Sequence, residues 1–277
     1  MSSKADIKQR ESWKQWWSAD ERYSPALKEF LLEGERKSNR WSHINDRIRK
    51  HFGNKSNLKV LEIGGGNVRF SYLMIELFKA DVTICDYIQK ATAIAARFLD
   101  EYAKKANIYW CDITNISDQV KCNESFKFDI VYSDGVIEHY KNDKKILDAH
   151  FDNLKSGGIV IISVPNTLCF PYLIYRIIAK IFGRFKVGRE HSYTFWKLRR
   201  KIRKYGFRDI SISGSRYYTN RSDVFMFLIR PCSKLLHMIF GFYYSFDEKK
   251  SKQIMVKERP GFWRQLFSYD ITLIARK

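Results

Sequence analysis

Apolar residues along the chain follow two periods. Val60–Ile63, Asp81–Asp86, Asn107–Cys111, Phe128–Ser133 and Ile159–Val164 are short and dominated by apolar or β-favouring residues, which predicts five strands. Between them the spacing becomes helical. Ala91, Ile94, Ala95, Phe98, Leu99 and Tyr102 recur at i, i+3, i+4, i+7, i+8 and i+11, the stripe of an amphipathic helix. Val68–Lys79 predicts a second helix, and Ile146, Leu147, His150, Phe151 and Leu154 a third, stopped by Gly157 and Gly158. Strands alternating with helices of this length predict right-handed crossovers and a parallel sheet. Ahead of the first strand, residues 6–51 read as a helical lead-in in which Trp13, Trp16 and Trp17 share one face, either to pack on a core or to cover a ligand mouth.

The first strand runs directly into Gly64, Gly65 and Gly66. Glycines there let the backbone turn sharply and approach a bound ligand, as a strand-to-helix nucleotide loop requires. Alone they are equally compatible with an ordinary tight turn. The second strand, however, ends in Asp86, about 20 residues further on, where a carboxylate that binds ribose hydroxyls is expected in a doubly wound sheet.

A chain of 277 residues with 45% apolar content can build one large domain or one domain with elaborations, and is not disordered. Its charge changes the picture. Residues 1–167 carry 26 Lys and Arg against 23 Asp and Glu, a net of +3, whereas residues 168–277 carry 24 against 7, a net of +17. That asymmetry points the last 110 residues towards an anionic partner, a membrane surface or a nucleic acid, or leaves them a solvated face. The five cysteines are an odd number without a Cys-x-x-Cys pair, so neither a disulfide framework nor a zinc site is expected. A reducing, cytoplasmic compartment fits best, and the polar N-terminus lacks a signal-peptide pattern.

Motif by motif, VLEIGGGN, ICDY, CDI, FDIVYSDGVIEH and LKSGGIVIISVPN within residues 58–167 resemble the class I S-adenosylmethionine-dependent methyltransferases. The likeness resumes at His191–Leu198, through the helix to Phe207, and in the ending Tyr269–Lys277. The Glu138-His139 pair and the strand ending Pro165-Asn166 look most like the small-molecule branch that includes the ubiquinone-biosynthesis O-methyltransferases. The resemblance implies an α/β fold, a doubly wound, Rossmann-like sheet of seven strands in the order 3-2-1-4-5-7-6 with strand 7 antiparallel, the last hairpin supplied by Arg208–Gly214 and Asp270–Arg276. It implies a helical lead-in or lid at 1–57 and a methyltransferase domain at 58–277 with insertions at 168–190 and 222–262. Val68 stands where the family often has a third glycine, and Asn67 replaces a commoner small residue.

The cofactor implied is S-adenosyl-L-methionine. By resemblance, Glu62 and the backbone of Gly64, Gly65 and Gly66 hold its methionine end, Asp86 the ribose hydroxyls, Tyr87 one face of the adenine, and Asp112 and Ile113 the adenine edge and ring, with Ser133 in the same set. The bland alternatives are a turn carboxylate for Asp86 and a turn cap for Asp112. Methyl transfer to a hydroxyl benefits from a base, and Asp134, His139 and His191 are the candidates near strand ends. His139 is equally expected to pack beneath the crossover helix, and His191 to contact substrate or cap a helix. Glu138 and His139 are a poor pair for a metal, and no metal site is assigned.

The stretch 168–187 is apolar, with Arg176, Lys180 and Arg184 four apart as one basic ridge, and 224–246 repeats that character. Charges every turn disfavour a spanning helix and favour an interfacial one. With Arg199, Arg200, Lys201, Arg203 and Lys204 these segments form a cationic flank for anionic lipid, or a lid over the substrate. Nucleic acid is disfavoured because no RNA-binding module is present. The expectation is therefore O-methylation of a lipid-like or lipid-linked small molecule by a cytoplasmic, peripheral membrane enzyme. The alternatives are a soluble metabolite, sugar or RNA as acceptor, or a cofactor-binding partner subunit without turnover.

Overall fold

A computed structural model describes residues 11–14, 32–66, 68–112, 114, 127–182, 190–191, 193–215 and 268–277. Its main elements are α1 (Asn39–Phe52), β1 (Lys59–Ile63), α2 (Arg69–Phe78), β2 (Asp81–Asp86), α3 (Gln89–Glu101), β3 (Asn107–Trp110), β4 (Phe128–Asp134), α4 (Asp143–Asp152), β5 (Leu154–Pro165), α5 (Phe170–Ile181), α6 (Phe195–Lys204), β6 (Arg208–Ser215) and β7 (Asp270–Arg276). The strands form one sheet in the order β3-β2-β1-β4-β5-β7-β6. β1 to β5 are parallel, and β7 runs antiparallel between β5 and β6. Topology, strand order and the antiparallel seventh strand agree with the expectation.

The period-two alternation divides the core. Leu61, Ile63, Val131, Val160 and Ile162 face one layer with Leu198 and Ile202 of α6. Val60, Val82, Ile84, Ile130 and Ile161 face the other with Trp41, Ile44 and Ile48 of α1 and Leu73 and Met74 of α2. Both faces of the sheet are covered, so its strands read as nearly continuous apolar runs. Each fully buried aliphatic side chain contributes about 1.5–3 kcal/mol. α1 begins where the Ser38 hydroxyl accepts from Trp41 N at 2.9 Å and ends at Gly53, whose φ of 63° few other residues adopt cheaply.

One boundary differs from the sequence expectation. Gly157 and Gly158 do not stop a helix: α4 already ends at Asp152, and Leu154 pairs with Phe128 as the first residue of β5. The irregular β4–β5 register explains the glycines, because a Cβ on Gly158 would lie 2.9 Å from Asp129 O. Trp13 and Trp41 are described, whereas Trp16, Trp17, Arg184 and the stretches 183–189, 222–262 and 224–246 lie outside the described residues. Among the described residues, no helix is long and apolar enough to cross a membrane.

Candidate active site

β1, β2, β4 and β5 end on the same edge of the sheet, and the segments that follow them build the site. After β1, Gly64 has φ 75°, and a Cβ there would overlap Val136; a Cβ on Gly65 would overlap Ile84. The loop is thus packed from behind as well as bare towards a ligand. Val68, at the entrance to α2, is buried with φ 43°, a strained conformation for a β-branched residue that a glycine would adopt freely.

Glu62 is buried beneath this loop. Its carboxylate accepts from Ser71 N at 3.2 Å and from the Ser71 hydroxyl, tying β1 to the first turn of α2. Burial raises its pKa to about 7. Asp86, at the end of β2, accepts from Ile88 N at 2.8 Å, and burial likewise raises it to about 7. Tyr87 follows it, and its carbonyl accepts from Nε1 of Trp110, a ring 60% exposed beside the loop that the sequence reading passed over. Asp112 accepts from Thr114 N at 3.0 Å and from the Thr114 hydroxyl at 2.8 Å, the turn-capping geometry. Ile113 lies outside the described residues. Ser133 is turned away from this group: its hydroxyl meets Nε2 of buried His150 at 2.9 Å, and the other ring nitrogen meets Ile146 O.

The three base candidates occupy different environments. Asp134 accepts from Nη1 of Arg40 at 2.5 Å, and the same guanidinium binds both carboxylate oxygens of Glu35. Burial opposes the charge on Arg40, but Asp134 and Glu35 outweigh it and hold its pKa well above the ordinary value. Arg40 belongs to the lead-in, carries no motif, and escaped the sequence reading. His139 lies 3.6 Å from Glu138 Oε1 and edge-on to Trp13 at 4.9 Å, so one lead-in tryptophan packs over the segment after β4. His191 donates its backbone N–H to Glu138 O at 2.7 Å, which brings it to the same place from 53 residues further along the chain.

From the sequence, Glu138 is weighed only as a poor metal partner of His139. It is fully buried, and burial pushes its pKa well above the ordinary carboxylate range. Among the described residues, three buried polar atoms around this edge have no hydrogen-bond partner: Glu138 Oε2, His191 Nε2 and Thr167 Oγ1. Such orphans are costly unless something binds them. Chemically, these atoms offer a carboxyl oxygen, a ring nitrogen and a hydroxyl to a polar ligand.

Arg176 does not belong to an outer ridge. It is buried against Glu190, with Nη2 donating to Glu190 O at 3.2 Å, and its guanidinium lies over the Tyr172 ring. The outer side of α5 instead presents Ile177, Ile181 and the following Phe182, exposed by 52%, 73% and 70%.

Known proteins resemble the chain as follows. The methyltransferase domain family matches residues 54–183. The chain is 27% identical over 156 residues to a ubiquinone biosynthesis O-methyltransferase of Rickettsia canadensis, covering 56% of this chain and 63% of that protein, so it spans less than two thirds of that relative. A protein of the same name from Glaesserella parasuis is 30% identical over 183 residues, 65% of this chain and 71% of that one. In fold, a SAM-dependent methyltransferase from Archaeoglobus fulgidus matches 90% of this chain and 99% of its own, with TM-score 0.51 and 18% identity.

Proposed function

Because this chain belongs to the S-adenosylmethionine-dependent methyltransferase family, we propose that it transfers a methyl group from S-adenosylmethionine to an oxygen of a lipid-like or lipid-linked small molecule. The observation that carries the acceptor half of this reading is the set of unpartnered buried atoms on Glu138, His191 and Thr167.

The residues present fit the cofactor. Glycines packed so that no Cβ is tolerated, and a buried Asp86 at the next strand end, suit its methionine and ribose portions, and Tyr87 with Trp110 offers aromatic surface to a base. When bound, the cofactor supplies an electrophilic methyl on a sulfonium. The protein's task is then to position the acceptor and exclude water. His191 Nε2 takes the acceptor's hydroxyl proton, while the Glu138 carboxyl and the Thr167 hydroxyl fix the acceptor's polar end. Asp134 is the weaker base because Arg40 engages it, and His139 is the packing residue beside Trp13.

The relatives' name, ubiquinone biosynthesis O-methyltransferase, supports oxygen as the atom methylated and a lipid-soluble acceptor. The apolar outer side of α5, with Lys180 exposed beside it, supports delivery at a cytoplasmic, anionic membrane face. Calorimetric titration with S-adenosylmethionine, followed by transfer of labelled methyl to lipid and aqueous fractions of an extract, tests the proposal. Label in an alkali-stable ether of the lipid fraction is expected. Label confined to aqueous products would sink the lipid acceptor, and cofactor binding without transfer to either fraction would favour a non-catalytic subunit.

A further inference from the structure

A cavity lies at the end of the sheet opposite the candidate active site, between α1, α6 and the antiparallel β6–β7 pair. Its volume is about 830 Å³, and its floor includes Ile159, Phe207 and Ile274. That is within the roughly 300–1,000 Å³ of small-molecule sites. Six cations line it: Arg47 and Lys50 from α1, Arg199 and Arg203 from α6, Arg208 from β6 and Arg276 from β7. Asp209 is the single acidic lining residue among those described.

These charges are arranged against one another. Arg208 and Arg276 are directly opposed across the β6–β7 ladder, where like charges repel. Arg199 and Arg203 are four apart on one helix, which repels similarly. The relief within the protein is partial. Arg47 donates to Asp209 O at 2.7 Å and Arg199 to Ile210 O at 3.5 Å, both backbone acceptors that leave the positive charge in place. Asp209 lies 3.8 Å from Arg276, and both side chains are half-exposed or more. Helix dipoles account for Lys50 and Arg203, each in a last turn, but not for the opposed strand pair. Backbone at Asp209 is also left-handed, with φ 50°, in a segment where the β6–β7 register shifts.

We propose that this cavity is a second ligand site, separate from the methyl-transfer site, that takes a compact anion carrying two or more phosphate groups. Converging cations on four elements match a cluster of phosphate oxygens, and arginine forks bind such oxygens in pairs. A single carboxylate or sulfate would leave most of the six cations unneutralised.

The test is calorimetric titration of the full chain with tripolyphosphate, ATP and inorganic phosphate at about 150 mM salt, where screening over about 8 Å suppresses diffuse attraction. One saturable equivalent of tripolyphosphate is expected, bound more tightly than phosphate and weakened about tenfold or more by exposed Arg203→Ala with Arg208→Ala, roughly 1.4 kcal/mol. An Arg97→Ala, Lys105→Ala control, at the far edge of the sheet beside β3, should bind as the parent does. ATP at least equal to tripolyphosphate supports the site with or without a nucleoside contribution. Absence of saturable binding, equal loss in the control, or displacement of tripolyphosphate by a short RNA oligomer would overturn the proposal. S-adenosylmethionine affinity measured on the same double variant should be unchanged, which keeps failure here distinct from failure of the methyltransferase reading.

Discussion

Arg40 and Asp134 lie 94 residues apart in sequence and 2.5 Å apart in space, joining the first turn of α1 to the end of β4. Glu35 completes the buried group from the other side of the guanidinium. The lead-in is thereby locked to the edge of the sheet from which the glycine loop after β1 projects.

Removing the arginine leaves two carboxylates buried without their cation. Arg40→Met is expected to destabilise by about 3–5 kcal/mol in urea unfolding. Pairing it with Asp134→Asn and Glu35→Gln should recover part of that loss. A single variant as stable as the parent would show that the ion pair is solvated in solution.

Gly65→Ala forces a methyl group into Ile84 on β2. A loss of about 1–3 kcal/mol is expected, together with loss of S-adenosylmethionine binding, because the loop must move to admit it. Unchanged calorimetric affinity would remove this loop from the site.

Two buried groups with shifted pKa values, Asp86 and His150, predict a pH signature. Asp86 is raised to about 7 by burial from an unfolded value of about 3.9, so its contribution to stability is fully present below about pH 4 and is lost as pH rises through about 7. Buried His150 is lowered to about 4, so its contribution is present above about pH 6.5 and is lost as pH falls towards 4. In the free protein, Asp86→Asn should therefore stabilise at pH 8, by about 1–3 kcal/mol, and have little effect near pH 4. Equal effects at both pH values, read by denaturant midpoints, would contradict the assignment.

His191→Gln is expected to lower kcat by about 10²–10⁴-fold while S-adenosylmethionine affinity stays near that of the parent. His139→Gln should act mainly on stability through its contact with Trp13. If the two reverse, the proton acceptor is His139.

For membrane docking, Ile177→Ser with Ile181→Ser is expected to reduce co-sedimentation with anionic vesicles about tenfold or more, each buried methylene contributing about 0.8 kcal/mol. Arg176→Ala should instead act on stability through Tyr172 and Glu190. Unaltered sedimentation of the double variant would exclude this side of α5 as the lipid contact.

The fold was legible because its signals are local. Alternating strand and helix periods, the glycine run after β1 and the carboxylate ending β2 are set by neighbours in sequence, and they determine a parallel, doubly wound sheet with its ligand loop in place. What only the tertiary structure decided are the partnerships. Ser133 and Asp134 are adjacent in β4, where successive side chains alternate faces; one meets His150 beneath the sheet and the other Arg40 beyond its edge. Arg176 has the spacing of a surface ridge, yet Glu190, whose segment folds back against α5, draws it inward and leaves Ile177 and Ile181 outside. Periodicity reports which residues share a face, but charge pairing and burial depend on what the rest of the chain brings to that face.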